Sequence, residues 1–232
     1  DARGRAGAGD REHGRVRGVK ISRLTVGPFE ENCYLVVDEA AERAALVDPG
    51  DEAGRIIRMV RESGAELEAI WLTHAHIDHI GALAAVKRVW DVPVFLHSAD
   101  APLFAAGERQ AAFYGLDFEQ PDPPEAAFAD GDLAHVGMLQ FEVAHTPGHA
   151  PGLVVLHGNG VVLAGDLLFA GSIGRTDLPL SSPAAMEESL ARVMRELSDD
   201  VVVHPGHGPS TTIGRERVTN PFLNGQARVF VP

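Results

Sequence analysis

One heptapeptide limits what this chain can become. Thr73-His74-Ala75-His76-Ile77-Asp78-His79 directly follows the apolar run Ala69-Ile70-Trp71-Leu72. Three imidazoles and a carboxylate so close together are too many polar groups for a core and too regular for a solvated loop. In extended chain, residues i and i+2 point to the same side, so His74 and His76 can grip one ion together. Asp78 and His79, at the turn into the next helix, can face a second. Imidazole nitrogen with carboxylate oxygen suits Zn, Fe, Mn or Ni rather than Ca or Mg. The competing reading is a His-rich surface loop that meets metal only adventitiously, and matching residues further along the chain weigh against it.

Those residues share one property: each lies just past a buried apolar run. His149 follows Leu139 to Val143 through Thr146-Pro147-Gly148, Asp166 follows Val161 to Gly165, and His207 follows Val201 to Val203 through Pro205-Gly206. Ends of adjacent strands converge at one edge of a sheet, where ligands of open α/β folds sit. The expected grouping is His74, His76 and His149 on one ion and Asp78, His79 and His207 on another, with Asp166 between them. Asp166 alone could equally cap a helix or turn.

The intervening chain reads as two batches of strands, each followed by helices. Val19 to Val26, Asn32 to Val37 and Ala44 to Val47 form a meander; Asp51 caps a helix through about Glu62, ended by Gly64. Leu67 to Leu72 is a strand, Ile80 to Trp90 a helix, and Val94 to His97 a strand. Ser98 to Gly131, with Pro102, Pro121, Pro123 and Pro124, predicts a short helix near Ala99 to Ala106 and irregular chain beyond. Strands resume at Leu139 to Val143, Leu153 to Leu156 and Val161 to Leu163, the last two joined by Gly158-Asn159-Gly160, a hairpin signal. Ser182-Pro183 opens an amphipathic helix carrying Met186, Leu190, Val193, Met194 and Leu197. Val201 to Val203 is a last strand and Gly214 to Val218 a short helix. The pattern implies α/β architecture with two packed sheets and helices outside, a four-layer αββα sandwich.

Composition narrows the partners. Twenty basic against 33 acidic residues give a net charge of −13, which opposes phosphate backbones, so nucleic acid is not expected. No run of about 18 apolar residues exists to span a membrane. The single Cys33 cannot form an internal disulfide, which fits a reducing, cytoplasmic setting; it reads as core. Asp1 to Gly18 is expected to be a flexible tail ahead of one domain over 19–232. A homo-oligomer is left open.

His74-x-His76-x-Asp78-His79, Thr146-Pro147-Gly148-His149, Gly165-Asp166-x-Leu168-Phe169, Gly174-Arg175 and Pro205-Gly206-His207-Gly208 together resemble the metallo-β-lactamase superfamily, and within it the glyoxalase II (hydroxyacylglutathione hydrolase) branch. The resemblance covers residues 19 to 232. It implies seven metal ligands (His74, His76, Asp78, His79, His149, Asp166 and His207) and two divalent cations, zinc in the first place with iron or manganese as alternatives. It further implies attack of a metal-bridging hydroxide on a small-molecule thioester such as S-lactoylglutathione, with Asp78 orienting the hydroxide. Two departures stand out. Glyoxalase II proper carries a further helical, glutathione-binding domain after the position of Pro221-Phe222, expected to be absent here, and has Cys where Ile173 stands.

Arg175 offers a fork of donors for a substrate carboxylate or phosphate, or else an ion pair with Asp177. Asp48 is a candidate acceptor for a ligand imidazole. The alternative function is a mononuclear-iron persulfide dioxygenase, which the same motifs resemble and in which His74, His149 and Asp166 would form the iron site. Ser172-Ile173-Gly174-Arg175-Thr176-Asp177 leans toward the hydrolase.

Overall fold

The computed structural model describes residues 13–16 and 18–229. An antiparallel meander of β1 (His13–Val16), β2 (Val19–Val26), β3 (Glu31–Asp38) and β4 (Arg43–Val47) leads into α1 (Ala53–Ser63) and β5 (Glu66–Trp71). The short helices α2 (Ile77–Ile80) and α3 (Leu83–Lys87) return the chain to β6 (Val94–His97). A 3-10 turn at Ser98–Asp100, then α4 (Ala101–Ala105) and α5 (Gly107–Tyr114), precede β7 (Ala126–Phe128). Strands β4 to β7 run parallel, completing a seven-stranded sheet in sequence order.

The second half begins with β8 (Leu133–Val136), β9 (Leu139–His145), β10 (Val154–Gly158) and β11 (Val161–Gly165). A small hairpin of β12 (Leu168–Phe169) and β13 (Ser172–Ile173), helix α6 (Pro183–Glu196), β14 (Val202–Pro205), β15 (Thr211–Thr212) and α7 (Ile213–Thr219) follow. The second sheet has the order β15-β14-β11-β10-β9-β8, with only β11 and β14 parallel.

The strands read as unbroken apolar runs because both faces are covered. In β3, Tyr34 and Val36 join Phe141, Val143, Val154, Leu156, Val161 and Leu163 in a core between the sheets. The alternate residues Cys33, Leu35 and Val37 belong to a second core shared with Ile56, Met59 and Val60 of α1 and Leu83 of α3. In the other sheet, Val155 and Val162 turn outward to the same core as Met186, Leu190 and Val193 of α6. Period-two alternation thus divides strands such as β2, β3 and β6 between two apolar layers, which is the expected αββα sandwich.

Several local expectations need correction. The flexible tail does not extend to Gly18: His13–Val16 pairs with β2, while the rest of 1–17 lies outside the described residues. The cap of α1 is Glu52, in left-handed conformation; its carboxylate accepts from the Arg55 guanidinium and the Gly27 N–H instead of capping, and the Asp51 carboxylate accepts from the Glu52 N–H. The single helix over Ile80 to Trp90 is two helices. The Ala82 N–H donates to Pro49 O rather than along the helix, and Gly81 packs against the Gly50 carbonyl. The stretch from Ala106 to Gly131, expected to be irregular, holds α5 and β7, too short and too weakly periodic to stand out. The Ser182 cap is as expected, its hydroxyl accepting from the Ala185 N–H.

Candidate metal centre

The turns that follow β5, β9, β11 and β14 meet at one rim of the sandwich and carry all seven expected ligands to one place. The β5 turn is held in extended form until α2 begins at Ile77, so His74 and His76 face the same space, ring centroids 4.8 Å apart. His149 closes that group, at 5.0 Å from His74 and 4.5 Å from His76. His76 Nδ1 and His149 Nε2 approach to 2.8 Å.

The second group is built around His79 and Asp78. His207 Nε2 lies 3.2 Å from Asp78 Oδ2, and His79 Nε2 lies 3.8 Å from the same oxygen. Asp166 stands between the groups: Oδ2 is 3.3 Å from His149 Nε2 and 3.5 Å from His207 Nε2, while Oδ1 is 3.4 Å from His79 Nε2. Among the described residues, groups able to hold a cation are His74–His76–His149, His74–His79–Asp166, Asp78–His79–His207 and, behind His79, Glu31–Asp48–His79.

Glycine makes this crowding possible. A Cβ on Gly206 would stand 2.2 Å from Asp166 Oδ1, and one on Gly174 would stand 1.8 Å from the Asp166 carbonyl oxygen. Backbone can therefore approach the ligands only where no side chain intervenes.

The outer nitrogens determine which ring atoms face inward. His149 Nδ1 donates to the Arg175 carbonyl at 2.8 Å, and His207 Nδ1 to the Phe29 carbonyl at 3.0 Å. A carbonyl only accepts, so each Nε2 keeps its lone pair for a cation. Asp48 serves His79 and His74. Its Oδ2 accepts from His79 Nδ1 at 3.0 Å and from the Thr73 hydroxyl at 2.6 Å, and that hydroxyl oxygen lies 3.1 Å from His74 Nδ1. Asp48 thus orients His79 directly and His74 through Thr73, as the expected acceptor; it holds this position in left-handed backbone, φ 48°.

The donor set fits a cation. Among the described residues, His74 Nε2, His79 Nε2 and Asp166 Oδ1 are buried with no hydrogen-bond partner, all aimed into the cluster. Such orphaned groups are costly unless something else satisfies them. Burial and the surrounding imidazoles push the His74 ring well below its ordinary range, and burial with His149 beside it brings His76 down to about 3. Both are neutral, as metal binding requires. Burial also opposes charge on His79, yet Asp78, Asp166 and Asp48 outweigh it and raise this ring well above the usual value. Burial works against the Asp166 anion, but His79, His149 and His207 hold it ionised and well below the carboxylate range. That half of the site is a field that favours positive charge.

Arg175 brings its backbone, not its side chain, to the cluster. Its guanidinium is forked onto Asp177, Nε to Oδ1 at 2.6 Å and Nη2 to Oδ2 at 2.7 Å. His145 stacks on His97 at 3.9 Å, and His204 meets Tyr34 edge-on, so neither touches a ligand ring.

Three contributors were not anticipated. Asp100, fully buried, accepts from the N–H of Ala75 at 2.8 Å and of Gly152 at 2.5 Å, tying the turn that holds His74 and His76 to the turn that holds His149. It follows the apolar strand β6, the same signal that singled out Asp166. Gln110 accepts from the Ile77 N–H and donates to the carbonyls of Ala75 and Leu103; nothing in its helix marks it. Glu31, 1% exposed, places Oε1 3.9 Å from His79 Nδ1. Burial pushes its carboxyl well above the usual range despite His79.

Comparison with known proteins agrees with this geometry. The family model described as the metallo-beta-lactamase superfamily matches residues 26–207. The chain is 36% identical over 213 residues to the hydroxyacylglutathione hydrolase GloC of Haemophilus influenzae, covering 90% of this chain and 100% of that one. Among solved structures it superposes on TTHA1623 in a di-iron-bound form, with TM-score 0.80, 43% identity and coverage of 87% and 99%. It also superposes on ETHE1 from Myxococcus xanthus, with TM-score 0.76, 29% identity and coverage of 90% and 86%. With the two-sheet sandwich and a metal-binding His/Asp cluster at its rim, the chain belongs to the metallo-β-lactamase superfamily.

Proposed function

We propose that this protein is a binuclear metallohydrolase that cleaves a small hydroxyacyl thioester such as S-lactoylglutathione. The observation that carries the reading is the position of Asp166, whose two carboxylate oxygens face both ligand groups at 3.3 to 3.5 Å. The persulfide dioxygenase alternative resembles the same ligand motifs, and it is Ser172-Ile173-Gly174-Arg175-Thr176-Asp177 that leans toward the hydrolase. His74, His76 and His149 would hold one divalent cation and Asp78, His79 and His207 the other, with Asp166 shared; zinc is the first assignment, iron or manganese the alternatives. Bound there, the pair supplies an acidified water at neutral pH and polarises the thioester carbonyl. Asp78, the more exposed carboxylate at 18%, would orient that water at the mouth, and the Asp48–Thr73 chain keeps His74 and His79 in register. A substrate carboxylate would reach the Arg175 fork by displacing Asp177. The name of the Haemophilus relative supports the substrate class. No helix among the described residues is long and apolar enough to cross a membrane, and the lone buried Cys33 suits a cytoplasmic setting.

Elemental analysis alongside hydrolysis of S-lactoylglutathione tests this. Near two metals per chain with turnover is expected. His79→Ala should lose about one metal equivalent and lower activity on the order of a hundredfold, as when one electrostatic stabiliser is removed. Near one iron, with oxygen consumed on glutathione persulfide and no thioester cleavage, would refute the hydrolase and identify a dioxygenase.

A further inference from the structure

Next to the metal centre, the turn between β2 and β3 and the chain beyond α5 border a cavity of about 210 Å³. Its walls include the apolar Phe29, Ile77 and Leu116, and its charged groups are Asp51, Asp78 and Asp117. No lysine, arginine or histidine lines it. It adjoins the reaction site directly, because Asp78 belongs to both and the Phe29 carbonyl fixes His207. The Phe29 ring is itself braced by Tyr114, edge-on at 5.0 Å.

A cation in the second ligand group compensates Asp78. Asp51 and Asp117 have no such partner: among the described residues neither forms an ion pair, and Asp51 has only the Glu52 N–H. A half-enclosed apolar cleft with two uncompensated carboxylates repels anions and attracts an ammonium group. Glutathione, with two carboxylates against one ammonium, carries a net negative charge into it. A short aminothiol carries a positive one.

Resting on the thioester-hydrolase reading, we propose that this cleft receives the thiol half of the substrate, and that Asp51 and Asp117 select thioesters of short amine-bearing thiols over those of anionic thiols. Two partly solvated carboxylates acting on one ammonium give about a tenfold preference, largest at low ionic strength.

The test uses the full, metal-loaded chain and three thioesters sharing the lactoyl group: those of thiocholine, whose quaternary ammonium cannot take the acyl group from sulfur, of its neutral analogue 3,3-dimethylbutanethiol, and of glutathione. Expected is an order of kcat/KM of thiocholine, then 3,3-dimethylbutanethiol, then glutathione. The ratio of the first two should collapse about tenfold in Asp51→Asn/Asp117→Asn, chiefly through KM, and shrink with added salt. Calorimetry with the inert thioethers S-(2-hydroxypropyl)cysteamine and its N-acetyl form reads the same preference without turnover. A glutathione thioester that is preferred, or a thiocholine to 3,3-dimethylbutanethiol ratio indifferent to both substitutions and salt, overturns the assignment of the cleft. No cleavage of any thioester, with the calorimetric preference present and lost in the double variant, supports the cleft while refuting the hydrolase.

Discussion

Asp100→Asn isolates a group that touches no ligand yet holds two ligand turns together. The wild-type carboxylate accepts from the buried N–H groups of Ala75 and Gly152. Asparagine keeps one acceptor oxygen and turns its own amide hydrogens toward the other N–H. The loss is one charge-assisted bond, about 1.5–3 kcal/mol, and one buried donor left without a partner, about 1–3 kcal/mol. Removing a carboxylate that burial already disfavours, as its raised pKa indicates, returns part of this, leaving a net cost of about 2–3 kcal/mol. With a urea slope of about 2 kcal/mol per molar, the unfolding midpoint should fall by about 1 M. Because Ala75 lies between His74 and His76 and Gly152 closes the His149 turn, metal affinity should weaken about 10–100-fold, measured by chelator competition below the denaturing range. A midpoint within about 0.2 M of wild type, with metal affinity unchanged, would show that these two hydrogen bonds do not organise the site.

Three further substitutions probe the same framework. Thr73→Val keeps the side-chain shape but removes the hydroxyl linking His74 to Asp48; chelator competition should show metal held about 10–100-fold more weakly, with KM little changed. In Gly50→Ala the new methyl would stand 1.8 Å from the Asp78 carbonyl oxygen and 2.5 Å from Glu31 Oε2. Overpacking should cost about 1–3 kcal/mol in a thermal melt and displace Asp78, lowering metal content. His204 is held down to about 4 by burial and the nearby Arg23 cation, against 6.5 for the free ring. The unfolded chain therefore takes up a proton that the folded chain refuses. Stability is full above 6.5 and falls as pH drops toward 4, by up to about 3 kcal/mol. Urea midpoints of His204→Gln should show a shallower decline over that window, and an identical decline would remove His204 as its cause.

The sandwich was legible because its strands are long, apolar on both faces and punctuated by glycine and proline. Gly158-Asn159-Gly160 marked a hairpin whose two turn residues, Asn159 and Gly160, both have positive φ. The candidate ligands were legible for a related reason: a polar residue placed immediately after an apolar strand has few structural roles. The same rule pointed to Asp48, and applied to β6 it would have found Asp100. What stayed hidden depends on contacts distant in sequence. The break between α2 and α3 comes from Pro49 and Gly50 pressing on Ala82 and Gly81, which no local periodicity encodes. Gln110 is unremarkable in α5 until Ala75 and Ile77 are folded against it. Glu216 is similar: its buried carboxylate gathers the Gly171 N–H, the Thr211 hydroxyl and the Asn220 amide, pinning the loop after Asp166 from 45 residues away.

The ligands are divided between the two halves of the sandwich. His74, His76 and His79 extend from the first sheet, whereas His149, Asp166 and His207 extend from the second. Between the sheets, the packing of residues such as Trp71 on Phe141 is joined by directional hydrogen bonds: the Tyr34 hydroxyl donates to the Pro205 carbonyl at 2.7 Å, and the N–H groups of Asn32 and Val154 donate to the carbonyls of Gly206 and Thr73 at 2.7 and 2.9 Å. A cation held by residues of both halves would add directional bonds at that rim. Binding only the closed arrangement, it would stabilise it by about 4 kcal/mol at a free concentration a thousandfold above the dissociation constant. Metal supply would then also be a mechanical variable of the fold: a starved chain would keep its sheets and the hydrogen bonds between them, and lose the added clamp at the rim.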